Sequence, residues 1–304
     1  MCGISGIMYK GAGSKGLAPI GEELIKMLDA MKHRGMDSTG VTIAGEQTDE
    51  DLIVRVWSDP GGDYEDRFRK VDEMVAEKGG VVKSRKSVGE YLRLGINYEG
   101  EVKELAEALL NLDGVELHSI GECSEVVKDV GTSTDLDGKH DISALKGTHG
   151  IGHVRLATES RVDISHAHPF WAYPFPDVTV VHNGQLTNYH NMKRRYEDKG
   201  HRFQTGNDSE LIAVYLADKL ARGASLQDAL EDSLDDLDGS FTYLVSTKNG
   251  MGTAKDKLVL KPLVLMETEE VVALASEEVA LRTVFTQEID RVEPQEKEVR
   301  TWLI

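Results

Sequence analysis

The chain opens Met1-Cys2-Gly3-Ile4-Ser5-Gly6-Ile7-Met8-Tyr9. An apolar run this short, rich in Ile and Gly, reads as a buried strand. Its second residue is what makes it unusual. An initiator methionine is generally trimmed when the next residue is small, and trimming here would leave a cysteine at the amino terminus. Such a residue carries nucleophile and base together. The thiol has a reference pKa near ~8.5 and the α-amine near ~7.7–8.0, so at neutral pH the neutral amine is populated and takes the thiol proton, directly or through water. Read alone, Cys2 also fits a small apolar residue inside a buried strand.

The rest of the chain sets limits on that reading. At 304 residues, 40% hydrophobic and 29% charged, it is long enough for one large domain or two small ones around a sizeable core. The 53 acidic against 35 basic side chains give a net charge of −18. That field repels phosphate backbones and anionic lipid, so neither nucleic acid nor membrane is expected as a partner. No stretch approaches the roughly 18 uninterrupted apolar residues of a membrane span. The first residues lack a basic n-region followed by a long apolar h-region, and the expected compartment is the cytoplasm. Two cysteines, Cys2 and Cys123, argue against a disulfide framework. Cys123 matches no motif and reads as a plain buried thiol. The histidines show no zinc-like spacing, so no metal is expected.

Pro19, Glu22 and Glu23 suit the start of a helix whose Leu24, Leu28 and Met31 share one face before Gly35. Residues 41–44 and 52–57 read as a hairpin. Between about 61 and 147 the character changes, with amphipathic stretches at 64–78 and 101–112 separated by polar, glycine-bearing loops, and we read this as an insertion. Beyond Gly150, residues 151–156 alternate: Gly152, Val154 and Leu156 share one face, His153 and Arg155 the other. Residues 178–181 and 241–247 read as strands, 189–199 and 208–220 as helices, and Ser225 with Asp228 opens a third helix. Residues 258–266, 271–275 and 298–303 close the chain as strands. Strands at both ends and helices between favour an α+β or layered-sheet arrangement over regular βαβ winding.

Polar residues concentrate in a few short segments: HRGMDSTG at 33–40, GIGHVRLATES at 150–160, HAHPF at 166–170, VHNGQLTNY at 181–189 and TGNDSE at 205–210. Each has a bland local reading. Asn183-Gly184 makes a good hairpin turn, Arg155 a surface ion pair, Asn207 or Asp208 a helix N-cap, and His168 a core histidine. An N-cap role for Asp208 does not exclude a ligand role.

Taken together and in this order, Cys-Gly-Ile, His-Arg-Gly with Asp-Ser-x-Gly, Gly-His-x-Arg-x-Ala-Thr, His-Asn-Gly and Asn-Asp-Ser-Glu resemble the class II glutamine amidotransferases, whose nucleophile is an N-terminal cysteine. The resemblance covers nearly the whole chain outside 61–147. It implies the N-terminal-nucleophile hydrolase fold, an α+β four-layer αββα sandwich over 2–304 with an inserted helical and loop region, and Cys2 at the start of a central strand. It further implies that Cys2 attacks the glutamine side-chain amide, with Asn183 and Gly184 as the oxyanion-hole pair. Arg155, helped by Thr158, would clamp the α-carboxylate, and Asp208 would pair with the α-ammonium. His168 occupies the family's His-Pro position, and Arg34 would pack behind the terminal strand.

The stretches GTHGIGHVRLATES, HPFWAYPFPD, VHNGQLTNYH and LDGSFTYLVST resemble most the separate amidotransferase subunits of glutamate synthase and N-methylglutamate synthase. The resemblance therefore implies a glutaminase subunit that forms a cysteine thioester and delivers nitrogen to another polypeptide. No cofactor is expected in this chain; FMN and 2-oxoglutarate would sit on the partner. Leu156 and Glu159-Ser160 depart from the purine-pathway and hexosamine relatives. A glutaminase for a different synthase, or a regulatory subunit that keeps the fold without catalysis, remain as alternatives.

Overall fold

The computed structural model describes residues 2–11, 16–45, 49–157, 162–285 and 290–304. In chain order the strands are β1 Gly3–Tyr9, β2 Ser38–Ala44, β3 Leu52–Ser58, β4 Val81–Val88, β5 Tyr91–Asn97, β6 Val115–Gly121, β7 Ser124–Val130 and β8 His149–Arg155. They continue with β9 Phe170–Trp171, β10 Thr179–Leu186, β11 Gly239–Thr247, β12 Gly250–Lys255, β13 Val264–Glu267, β14 Val271–Ala275, β15 Arg291–Val292 and β16 Val299–Leu303. The helices are α1 Ile20–Ala30, α2 Tyr64–Glu77, α3 Val102–Leu110, α4 Ser133–His140, α5 Tyr189–Asp198, α6 Asp208–Ala221, α7 Leu226–Asp236 and α8 Glu278–Val284.

Two antiparallel sheets, ordered β15-β13-β14-β1-β8-β2-β7 and β16-β12-β11-β10-β9, face each other through Ile4, Met8, Ile151, Val181, Leu244, Met251 and Leu274. Alternation along β1 explains why it is central: Ile4 and Met8 point between the sheets, while Ile7 points outward beneath α1 with Leu24 and Leu28. Burial of each such side chain contributes about 1.5–3 kcal/mol. On the far side of the second sheet, Val180, Phe241, Tyr243 and Val245 pack under α6 and α7 through Leu211, Tyr215 and Leu230. Helices over sheet, over sheet, over helices is the four-layer αββα arrangement expected. Cys2 immediately precedes β1, which lies between β14 and β8 in the larger sheet.

Three local expectations are corrected. Strands β2 and β3 form no hairpin: β2 pairs with β7 and β8, whereas β3 lies between β5 and β6 in a third, four-stranded sheet. Leu52, Val54 and Val56 of β3 pack with α2 and α3 against Phe68, Val71 and Leu105, away from the main core. The region expected as helices and loops thus also carries strands, and β7 and α4 return to the main body. Residues 258–263 are not strand; Val259 adopts φ 56°, and pairing begins at Val264. No helix among the described residues is long and apolar enough to cross a membrane.

Candidate active site

β1 delivers Cys2 to a cleft of about 580 Å³ that is also lined by Arg34, Arg155, Asn183, Gly184 and Asp208, a size usual for small-molecule sites. The main chain of Cys2 is held from two sides. Its carbonyl oxygen accepts Arg34 Nε at 2.9 Å and Asn183 Nδ2 at 3.0 Å. Arg34 is pinned in turn: Nη1 lies 2.5 Å from Glu277 Oε1, and Glu277 Oε2 lies 3.0 Å from His33 Nε2. Burial works to raise the Glu277 pKa, but Arg34 and His33 outweigh it and hold the carboxyl below its ordinary value. Ser276 Oγ accepts the Ile4 N–H at 3.0 Å and Asn183 Nδ2 at 3.3 Å. The start of β1, the end of β14 and the Asn183 side chain are therefore one network.

The thiol is addressed by backbone beyond β8. Cys2 Sγ accepts the Leu156 N–H at 3.3 Å and its S–H faces the Leu156 carbonyl oxygen at 3.6 Å. Asp37 fixes that backbone, its Oδ2 accepting the Ala157 N–H at 2.7 Å and its own N–H donating to Arg155 O at 3.0 Å. Gly35 permits the approach, since a Cβ there would lie 2.3 Å from the Arg155 carbonyl carbon. Gly35→Ala should therefore cost about 1–3 kcal/mol of stability by overpacking, measurable by chemical denaturation. A cost below about 0.5 kcal/mol would show that the segment gives way easily.

Alternation along β8, buried on both faces, sends His153 and Arg155 to the face of Ile151, which meets the second sheet. His153 stacks on His168 with ring centroids 4.1 Å apart and an interplanar angle of 18°. His168 Nε2 lies 2.8 Å from Ser209 Oγ, and His182 Nδ1 reaches the same hydroxyl at 3.0 Å. Burial is the main reason that His153 is pushed down to about 3 and His168 well below its ordinary value, so both rings are neutral at physiological pH. Arg155 lines the cleft from the end of β8.

Asn183 and Gly184 are not a hairpin turn. They lie inside β10, opposite Thr242 and Phe241, and pairing continues to Leu186 opposite Gly239. Gly184 has φ 149°, and a Cβ on it would fall 2.2 Å from Ser240 O, so the strand admits only glycine there. The cap of α6 is Asn207, whose Oδ1 accepts the Ser209 N–H at 2.9 Å. That leaves the Asp208 carboxylate at the cleft, with Oδ2 accepting the Leu186 N–H at 2.9 Å and Oδ1 3.6 Å from His182 Nδ1. Burial would raise the Asp208 pKa; His182 and the N–H groups of Leu186 and Ser209 reverse this and lower it.

Cys2, Arg34, Arg155, His168, Asn183, Gly184 and Asp208 thus meet at one cleft; Thr158 lies outside the described residues. The sequence reading missed Ser276 and Glu277, signalled only by a polar pair directly after the buried strand β14, and also the roles of Asp37, His182 and Ser209. Among the described residues, no group of three or more His, Cys, Asp or Glu could hold a metal ion. The arrangement offers a thiol with a backbone N–H aimed at sulfur, and a cation and an anion on the same cleft. Those charges are complementary to the two ionised ends of an α-amino acid.

Residues 153–283 match the glutamine amidotransferase domain. A protein of Methanothermobacter thermautotrophicus described as a putative glutamine amidotransferase is 43% identical over 98% of this chain and 99% of its own length. The glutamine amidotransferase-like protein GlxB of Rhizobium meliloti is 37% identical over 99% of this chain and 98% of its own. Among solved structures, the glutamine phosphoribosylpyrophosphate amidotransferase from B. subtilis superimposes with a TM-score of 0.60 at 19% identity over 99% of this chain, which spans 49% of that one. That likeness is one of fold.

Proposed function

Because the chain belongs to the glutamine amidotransferase family and is an enzyme of glutamine hydrolysis, we propose that Cys2, freed by removal of Met1, is its nucleophile and that the nitrogen passes to a separate glutamate-synthase-like subunit. The observation that carries this reading is the meeting of Cys2, Arg155, Asn183, Gly184 and Asp208 at one cleft, although they are scattered over more than two thirds of the sequence.

Arg155 takes the α-carboxylate of L-glutamine as a planar two-pronged donor, Asp208 takes the α-ammonium, and Thr158 completes the carboxylate site. The neutral α-amine of Cys2 accepts the thiol proton, and the thiolate attacks the side-chain amide carbon. The oxyanion that forms accepts hydrogen bonds from Asn183 Nδ2 and the Gly184 N–H. For Asn183 this means exchanging its longer contact, the one to Ser276 Oγ at 3.3 Å, while keeping Cys2 O at 3.0 Å. Collapse of the intermediate breaks the C–N bond, the α-ammonium returns its proton to the departing nitrogen, and ammonia leaves behind a γ-glutamyl thioester. Water, deprotonated by the same amine, then cleaves the thioester to glutamate. His168 and His182, joined through Ser209, act as positioning residues behind Asp208. Arg34 acts likewise on the Cys2 main chain.

The partner in this reading carries FMN and 2-oxoglutarate, and this chain carries no cofactor. We place the complex in the cytoplasm, where a reducing environment keeps Cys2 a thiol. Mass spectrometry of the purified protein should find a chain beginning at Cys2; a retained Met1 would tie the Cys2 nitrogen into a peptide bond, where it cannot act as base, and would contradict the mechanism. A tagged chain should co-purify with a flavoprotein whose spectrum is that of FMN, and a flavin-free synthase in its place would redirect the reading to another acceptor. Arg155→Lys, which loses the two-pronged contact, should raise KM for glutamine about 10–100-fold with little change in thermal stability. Unfolding of this variant would make Arg155 structural.

A further inference from the structure

The inserted sheet carries a second cleft, of about 200 Å³, lined by none of the residues of the first. Its floor is a row of cations. Arg55 on β3 stands directly opposite Arg93 on β5, and Arg93 opposite Lys86 on β4. All three line this cleft. Like charges facing each other on neighbouring strands are destabilising, and two of these are largely withdrawn from water, the Arg55 and Arg93 side chains being 14% and 20% exposed.

A single carboxylate answers the row. Glu125, reaching across from β7 of the main body, accepts Arg55 Nε at 2.6 Å and Nη2 at 2.5 Å, and Arg93 Nε at 3.1 Å. Even so, burial, together with the neighbouring Arg93, holds the Arg55 pKa below its ordinary value. Lys86 makes no ion pair with any described residue, and neither Nη of Arg93 makes a hydrogen bond to one, so the three cations share one carboxylate and two positive charges are in excess. The other basic side chains at the rim face carboxylates. Arg85 pairs with Asp72 and Glu65. His140 is 3.5 Å from Asp129, which also binds Lys139. An excess of cations facing one cleft stands out in a chain of net charge −18.

We propose that this cleft binds a small oxyanion, a phosphate or carboxylate group, which takes the free Nη pair of Arg93 and the Lys86 ammonium as donors while Arg55 and Glu125 fix the Arg93 plane from behind. A guanidinium presenting two parallel N–H groups matches either anion. The cleft volume suits a single phosphate or a small dicarboxylate. This site is independent of glutamine hydrolysis and stands or falls separately from it.

The test is titration of the whole chain with inorganic phosphate and, separately, with succinate, at constant ionic strength maintained with sodium chloride, followed by calorimetry and by melting temperature. At least one anion should bind saturably and raise the melting temperature, which also tells the two sources apart. Lys86→Gln, at an exposed position without a partner, should weaken that binding about fivefold or more, and Arg93→Gln should remove it. Absence of saturable binding of both anions, or wild-type affinity in Lys86→Gln, would overturn the proposal.

Discussion

Cys2→Ala should lose glutamine hydrolysis by at least about 10⁴-fold, because the other members of such a catalytic unit accomplish little without the nucleophile. The fold should survive. Alanine is small enough for this half-buried position, and the contacts that anchor the residue, from Arg34 Nε and Asn183 Nδ2, go to its carbonyl oxygen and not to its side chain. Glutamine binding, measured by calorimetry, should also persist, since Arg155 and Asp208 are untouched. Turnover in the variant after exclusion of wild-type contamination would remove Cys2 from the mechanism. Loss of the cooperative melt would mean instead that the thiol is a packing element of the strand start.

Asn183→Ala carries the next largest effect. Removing one donor to an oxyanion costs about 2.7–4 kcal/mol of barrier, on the order of 10²–10³ in kcat, and the account expects that loss with KM for glutamine changed much less. Because Asn183 also ties the Cys2 carbonyl to Ser276, the variant needs a companion. Ser276→Ala breaks the same network without deleting the oxyanion donor, and its kcat should fall less than about tenfold. Equal losses in the two variants would assign Asn183 a scaffolding part only.

Much of this site was legible because its chemistry is carried by short segments whose residue types are tightly constrained. Cys2 is informative because it follows Met1. Arg155 is informative because alternation along 151–156 puts it with His153 on one side, and the structure sets both on the face of β8 that carries Ile151 between the sheets. Asn183-Gly184 shows how local chemistry misleads. The pair is a good turn by its own preferences, yet β10 runs through it, and the φ of 149° at Gly184 is imposed by the close passage of Ser240 and Phe241. Nothing nearby in sequence reveals that crossing.

Glu277 was invisible for the same reason. Its partner Arg34 is 243 residues away, and a short polar run after a strand has no signature of its own. In the insertion the signal was present but mixed. Leu92, Leu94 and Ile96 alternate as a half-buried strand should, but the flanking edge strand β4 is largely exposed and charged, the composition by which sheet edges avoid further pairing. Polar edge strands read as loops. The cation row arises only from register across β4, β5 and β3, which single segments do not encode.

The most direct test is covalent. The purified mature protein, alone and with any co-purifying partner, is treated with a glutamine-analogue affinity label, and the adduct is located by peptide mass spectrometry. The account predicts one label per chain on the amino-terminal Cys2, blocked by excess L-glutamine, with Cys123 unmodified because it is buried and its thiol is pushed up to about 12. A chain left unlabelled at Cys2 under both conditions would contradict the assignment of that residue as the nucleophile.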